Sequence, residues 1–358
     1  MKRQRLMRVI ENMGEMGLKQ LVVSDPSSIF YLTGINIAPG ERLYALLIKA
    51  DGGATLYNNR LFPLEEQDGL TIVYHSDGED AITPLADSVS EGALGVDKTW
   101  AAKFLLDLTG RRTGLRAVLG SRAVDEARRL KDAEEVALMR AASRVNDAAM
   151  ADAIGLLGEN ISERKMASVV GELHVKHGAD TAVPQLVCYG VGCSEPHHDS
   201  GPATLKEGDS VILDIFAPVK HYWCDMTRTV FYKSASDEQK KVYETVKAAN
   251  LAGIKAVRPG VPLREIDRAA RKIIEDAGYG RYFTHRLGHG IGLDLHEPPD
   301  CSLSSDAVAE PGMCFSIEPG VYLPGKWGVR VEDLVVVTGD GVEVLNAYPK
   351  EFRIVTPK

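Results

Sequence analysis

The chain has 358 residues, 44% of them hydrophobic and 26% charged, which is the balance of an ordinary folded protein and excludes a disordered, collagenous or disulfide-scaffolded chain. At about 150 residues per domain there is room for two domains. Lys and Arg number 42 against 50 Asp and Glu, a net charge of −8 with no basic block, so nucleic acid is not an expected partner. No apolar run approaches the length of a bilayer span. The five cysteines, an odd number with no C-x-x-C pair, read as reduced thiols of a cytoplasmic protein.

In chain order, 1–18 has helical spacing of Leu6, Met7, Ile10 and Met13 with interleaved charges, an amphipathic helix rather than a signal peptide. Strand-like pieces follow at 21–24, 44–49, 54–57, 71–75 and 93–96, with helical stretches near 78–90 and 100–109. This predicts a small α/β domain over 1–125. The character changes at about 120–130, and 126–358 forms the second predicted domain. There a long helix spans 131–157 and Ser162 opens another, followed by strand-like AVPQLVCYG, SVILDIF and YWCDMTRTVFY. The order then repeats: helices at about 236–257 and 263–277, then strand-like MCFSIEPG (313–320) and GVRVEDLVVV (328–337). Two helices and then strands, twice, predict an α+β domain of two related halves.

Acids normally avoid strand interiors, because a buried carboxylate without a partner costs several kcal/mol. Four stand in such runs: Asp214 in VILDIF, Asp225 in YWCDMTRT, Glu318 in CFSIEPG and Glu332 in GVRVEDLVVV. One alone is ordinarily salt-bridged to an arginine. One pair in each half is explained more economically by a shared cation. Histidines point the same way. HRLGHGIGLDLHE holds His285, His289 and His296, and its glycines make it an extended segment that lets backbone approach a ligand. His197 and His198 lie in the turn-rich SEPHHDSG. Oxygen ligands with one imidazole and no thiolate suit Mn²⁺, Co²⁺, Fe²⁺ or Zn²⁺. Four carboxylates exceed the needs of one ion and match a two-metal site with ions about 3.5–4 Å apart. GVYLPGK imitates a phosphate-binding loop, but Trp327 replaces the required Ser/Thr and Gly328 opposes the helix that should follow.

SEPHH, VILDIF, HYWCDMTRT, HRLGHGIGLDLHE, FSIEPGVYLPG and GVRVEDLVVVT together resemble the pita-bread metallopeptidases, which include Xaa-Pro dipeptidase (prolidase), aminopeptidase P and methionine aminopeptidase. DPSSIFYLTG and GERLYALLI resemble the N-terminal creatinase-like domain of the proline-specific members, so the resemblance covers nearly the whole chain. It implies a pita-bread catalytic domain with pseudo-twofold halves behind an N-terminal α/β domain. It also implies a dinuclear-metal enzyme that hydrolyses the bond before proline in short peptides, first an Xaa-Pro dipeptidase, alternatively an Xaa-Pro aminopeptidase or another amide hydrolase or lyase. The implied ligands are Asp214, Asp225, His289, Glu318 and Glu332, with Asp225 and Glu332 shared by both ions.

 The expected metal is Mn²⁺. Glu318 is implied to move the proton, and His197 and His296 to line the substrate site and steady the oxyanion, with Arg330 and Tyr322 as further substrate-binding residues. A homodimer is implied as well.

Two positions depart from the family pattern. Phe216 stands where a glycine is usual, two residues after the first aspartate. Asp300 stands where Xaa-Pro dipeptidases commonly carry the arginine that holds the dipeptide's carboxylate, and a carboxylate there would repel that group. Arg286, Lys326 or a partner subunit's arginine at position 42 are the candidates to replace it.

Overall fold

A computed structural model describes residues 1–356, which divide into two compact units meeting at Arg128 and Arg129. Among them no helix is long and apolar enough to cross a membrane.

The first unit follows the predicted order with three additions. Its elements are α1 (Arg3–Glu15), β1 (Gln20–Val23), α2 (Pro26–Thr33), β2 (Ala45–Lys49), β3 (Ala54–Asn59), β4 (Thr71–His75), α3 (Ile82–Ser88), β5 (Gly92–Val96), α4 (Ala102–Arg111), β6 (Leu115–Leu119) and α5 (Arg122–Arg129). The strands form one mixed sheet in the order β4-β3-β2-β1-β5-β6. The additions are α2, β6 and α5. Helix α2 carries its own start and stop signals: Asp25 caps it by accepting from the Ser28 N–H, Pro26 opens it, and Gly34 ends it at φ 76°.

The second unit begins with α6 (Ala133–Gly155) and α7 (Glu163–His177), then β7 (Leu186–Tyr189), β8 (Ser210–Val219) and β9 (Tyr222–Tyr232). The second half repeats the plan with α8 (Asp237–Ala256) and α9 (Leu263–Asp276), then β10 (Gly288–Gly290), β11 (Glu297–Cys301), β12 (Cys314–Ile317), β13 (Gly320–Leu323), β14 (Trp327–Arg330), β15 (Asp333–Val337), β16 (Val342–Val344) and β17 (Ile354–Val355). Two sheets result, β17-β9-β8-β7 and β11-β10-β12-β15-β16, with β13 and β14 as a separate hairpin. Capping boxes at Asp132 and Ser236 start α6 and α8 at the same place in each half. The apolar faces of α6 and α7 pack on the first sheet through Met150, Met166 and Val170, and those of α8 and α9 on the second through Val246, Ile266 and Ala270.

The two acid pairs differ in their local setting. Asp214 and Asp225 lie inside β8 and β9, as the sequence reading holds. Glu318 and Glu332 do not lie inside strands: Glu318 falls in the break between β12 and β13, and Glu332 in the break between β14 and β15. Pro319 supplies the first break, since it has no N–H for a ladder. The second leaves the Glu332 N–H to bond the Thr227 carbonyl at 3.1 Å instead of a neighbouring strand of its own sheet.

The glycine-lined segment is extended only at Gly288–Gly290 and runs through bends over 292–296 before β11, and one glycine there has a demonstrable steric reason. A Cβ on Gly288 would lie 1.8 Å from the Ser316 carbonyl oxygen. Gly288→Ala must therefore push β10 off β12. The expected loss is about 1–3 kcal/mol or more in denaturant unfolding, with weaker metal retention because His289 moves with the strand. Unchanged stability would mean that the two strands do not pack this closely.

Candidate metal centre

Period two sets the first part of the site. In the β8–β9 ladder Asp214 faces Thr227 and Phe216 faces Asp225, so alternation puts all four side chains on one face of the sheet. His289 arrives from β10, and the two glutamates from their strand breaks. The donor atoms of Asp225, His289 and Glu332 lie within 4.8 Å of one another, and all three residues are buried. Glu318 Oε1 is 3.4 Å from His289 Nε2, and Asp225 Oδ2 is 3.8 Å from it. His289 Nδ1 sits 3.1 Å from the Gly290 carbonyl, which fixes a tautomer whose Nε2 lone pair faces the carboxylates.

These residues line a cavity of about 470 Å³ together with Asp214, His197, His285, Arg286, His296 and Arg330. All the proposed ligands are thus brought together, but Asp214 stands apart in one respect. It pairs with Arg330, Nη2 to Oδ2, at 2.6 Å. The ordinary fate of a buried acid, an arginine partner, is realised for this one of the four. Arg330 is itself held on three further sides, by Thr227 Oγ1 at 3.1 Å, Tyr322 Oη at 2.9 Å and the Pro196 carbonyl at 3.1 Å. Tyr322 stands behind it, 3% exposed, bonded in turn to His285 Nε2 at 2.9 Å. His197 and His296 both face the cavity, and the His296 ring centroid is 4.1 Å from that of His289. The loop carrying His197 is anchored by buried Glu163, which accepts from Tyr189 N, Gly201 N and His198 Nε2.

Two supporting residues escaped the sequence reading, and a third, His285, was read there only as one of a histidine cluster. Thr227 donates to Glu332 Oε2 at 2.7 Å while accepting from Arg330. Ser316 donates to Glu318 at 3.0 Å and accepts from the His289 N–H at 3.0 Å. His285 orients Tyr322. The available signal was period two: Thr227 and Ser316 each lie two residues from an acid and so share its side of the chain.

Crowding sets the electrostatics. Burial, then Glu332, Asp214 and Glu318, raise the Asp225 carboxyl well above its usual range. Burial and the neighbouring acids raise Glu332 likewise. Glu318 is pushed from 4.5 to about 7, by burial first and then by Asp214 against the opposing pull of Arg330. Burial, then His296, lowers His289 to about 3, so its imidazole is neutral at ordinary pH. Asp225 Oδ1 is buried with no hydrogen-bond partner among the described residues. An orphaned carboxylate oxygen, like charges at close range and a neutral imidazole are the features of a donor set built for a divalent cation. The residues fit such a group.

Comparison with known proteins agrees. The model of metallopeptidase family M24 matches residues 137–339, and that of the creatinase/prolidase N-terminal domain matches 5–130. The chain therefore belongs to metallopeptidase family M24, whose members are metal-dependent peptidases. It is 31% identical over 351 residues to an uncharacterized peptidase of Staphylococcus aureus, covering 97% of this chain and 99% of the relative. It is similar to the solved prolidase from Thermococcus sibiricus (33% identity, TM-score 0.94, covering 99% of each chain) and to the Xaa-Pro dipeptidase from Bacillus anthracis (29%, TM-score 0.90, 98% of this chain and 99% of the other).

The pKa shifts carry a sign that can be tested. Glu318 in the metal-free fold holds a proton up to about pH 7, whereas the unfolded side chain loses it near 4.5. The folded state binds more protons in that window, so its share of apoprotein stability falls as pH rises from 4.5 to 7. A bound cation favours the ionised form and removes that loss. The gain in Tm on saturation with a divalent ion should therefore grow between about pH 5 and pH 7.5. A gain that is flat across this range would show that these carboxylates do not hold the ion.

Proposed function

We propose that this chain is a dinuclear-metal Xaa-Pro dipeptidase, with Asp214, Asp225, His289, Glu318 and Glu332 holding two divalent ions. The observation that carries the reading is the convergence of four carboxylates and one neutral imidazole on a single cavity that Arg286 also lines. When bound, the ions supply Lewis acidity and an activated water. They are Mn²⁺ on the preference of oxygen-rich donor sets.

The protein's own groups do the rest. Glu318, held ionised by the cation, accepts a proton from the attacking water and passes it to the leaving proline nitrogen. His296, whose proton affinity burial lowers first and Arg286 second, is a neutral donor for the oxygen that gains charge, with His197 beside it. Arg330 holds Asp214 and has most of its donors committed, so its part in substrate binding is confined to what remains of Nη2. A bond before proline has no N–H, and nothing in this arrangement calls for one.

Of the candidates to replace the arginine that Asp300 displaces, the geometry favours Arg286. Its Nη1 donates to Asp300 Oδ1 at 2.6 Å, and the side chain lines the cavity. Asp300 thus serves to hold Arg286, and the remaining donors of that arginine are the ones we assign to the free carboxylate of a dipeptide. Lys326 is exposed in a turn and lines no part of this cavity. A second reading, an aminopeptidase taking longer peptides, is favoured by one feature. An adjoining cavity of about 690 Å³ shares Leu186, His197 and Phe216 with the first, giving space for an extended chain. We place the protein in the cytoplasm on its five unpaired, buried cysteines. A homodimer follows from the family resemblance, and sedimentation would test it.

The deciding experiment pairs a dipeptide Xaa-Pro with its extension Xaa-Pro-Yaa on Mn²⁺-loaded enzyme, products being followed by mass. Cleavage confined to the dipeptide is expected; cleavage mainly of the longer peptide establishes the aminopeptidase reading, and cleavage of neither overturns proline specificity. Arg286→Met should raise KM for the dipeptide by about 10- to 100-fold, the worth of a charged hydrogen bond, with kcat much less affected. An unchanged KM would remove Arg286 from substrate recognition. Asp225→Ala should lose bound metal, by elemental analysis, together with turnover; full activity without two ions would sink the mechanism.

A further inference from the structure

A second polar cluster lies behind the site, and none of its members lines the cavity. Arg228, Asp333 and Asn250 are at most 2% exposed. Arg228 donates to Asp333 at 2.8 Å, Asp333 also receives Lys350, and Lys350 donates to Asn250 Oδ1 at 3.0 Å. Both ends of this chain of side chains grip backbone. Arg228 Nη1 donates to the Glu332 carbonyl at 2.5 Å and to the Thr227 carbonyl at 3.0 Å. Asn250 Nδ2 donates to the Ile317 carbonyl at 2.8 Å and reaches that of Val331 at 3.4 Å. Ile317 precedes Glu318, and Val331 precedes Glu332. Asn346 adds the third acid: its Nδ2 donates to the Asp225 carbonyl at 3.2 Å while its Oδ1 receives Leu334 N at 2.6 Å.

Stability alone does not account for such a cluster. Apolar side chains of the same volume often stabilise a fold as well as a buried ionic group does. What they lack is donors aimed at particular carbonyls. The other half of the domain repeats the device with different residues. Asn146, on the first helix of its half as Asn250 is on the first helix of the second, donates to the Ile215 carbonyl at 3.0 Å, next to Asp214, and its Oδ1 is 2.8 Å from His174 Nε2.

We propose that Arg228, Asp333, Lys350, Asn250 and Asn346 form a strut that holds the backbone of Asp225, Glu318 and Glu332 in metal-binding position. They are positioning residues, and the inference rests on the metal reading above. The C-terminal segment 346–350 is thereby part of the metal centre's support, although it contributes nothing to the cavity wall.

The test is Co²⁺ titration of the apoprotein, followed by visible absorbance, for wild type, Asn250→Leu, Lys350→Met and Lys350→Arg. Asn250→Leu and Lys350→Met should weaken Co²⁺ binding by about 10- to 100-fold and change the absorbance of the bound ion, as loss of outer-shell support does. Lys350→Arg, which keeps the charge, should restore both. Wild-type affinity and spectrum in variants whose Tm has fallen would reduce the cluster to fold stability and overturn the proposal. Should those variants not fold, Asn346→Ala, which removes one contact of the strut, is read by the same two criteria. Wild-type protein that takes up no Co²⁺ would overturn the metal reading itself, a result distinct from failure of the strut.

Discussion

Everything in the second unit is arranged around the repulsion between four carboxylates in one cavity. Burial alone raises the cost of each charge, and each charge raises it further for the others. Among the described residues one arginine, Arg330, pairs directly with an acid of the cluster, and that acid is Asp214. The remaining three acids are left to protonate or to share a cation. A fold that tolerates this must have the rest of its architecture hold the acids in place against their own repulsion. The close β10–β12 approach, the bonds of Thr227 and Ser316, and the carbonyl grips of Asn250, Arg228 and Asn346 do so.

The acids come in two mechanical kinds. Asp214 and Asp225 sit mid-strand, where alternation and the β8–β9 register set their direction with no further device. Glu318 and Glu332 sit in strand breaks, where no ladder fixes the backbone. It is at these two that the supporting bonds concentrate: Glu332 is held at its N–H, its carbonyl and its carboxylate, and Glu318 at its N–H by the Leu287 carbonyl and at its carboxylate by Ser316. A strand break permits an approach angle that a pleated strand cannot give, and the extra hydrogen bonds supply the rigidity that the break removes.

This division also explains what was legible in the sequence. An acid amid β-branched residues is conspicuous wherever it lies, so all four were visible, and with them the glycine-flanked His289. The strand breaks at Glu318 and Glu332 were hidden because Val329, Val331 and Leu334 carry the apolar pattern straight through position 332. The Asp214–Arg330 pair joins residues 116 apart, a distance over which local pattern says nothing. The strut was hidden for a related reason. Asn250 lies among Val246, Ala249 and Gly253 on the buried face of α8, and one polar residue on an apolar helix face is easily read as tolerated rather than used. In the first unit α2 was overlooked despite Asp25, Pro26 and Gly34, whose capping signals are sound but enclose only eight residues. Strand β6 is half-exposed and lacks alternation, so its pattern is weak.

Asp300 shows how far a single substitution can mislead when it is read alone. By its charge it opposes a substrate carboxylate. In the fold it faces His289 across the β10–β11 ladder, and Arg286, three residues before His289, reaches back to it. Recognition of an anionic terminus depends on free, charged donors at a point in the cavity, not on which strand delivers them. On the proposed reading, an arginine from β10's leading end, braced by a carboxylate on β11, would meet that requirement. Bracing also lowers the entropy lost when a long, flexible side chain is fixed on a ligand, so on that reading the acid that looks adverse in the sequence would prepare the arginine for binding.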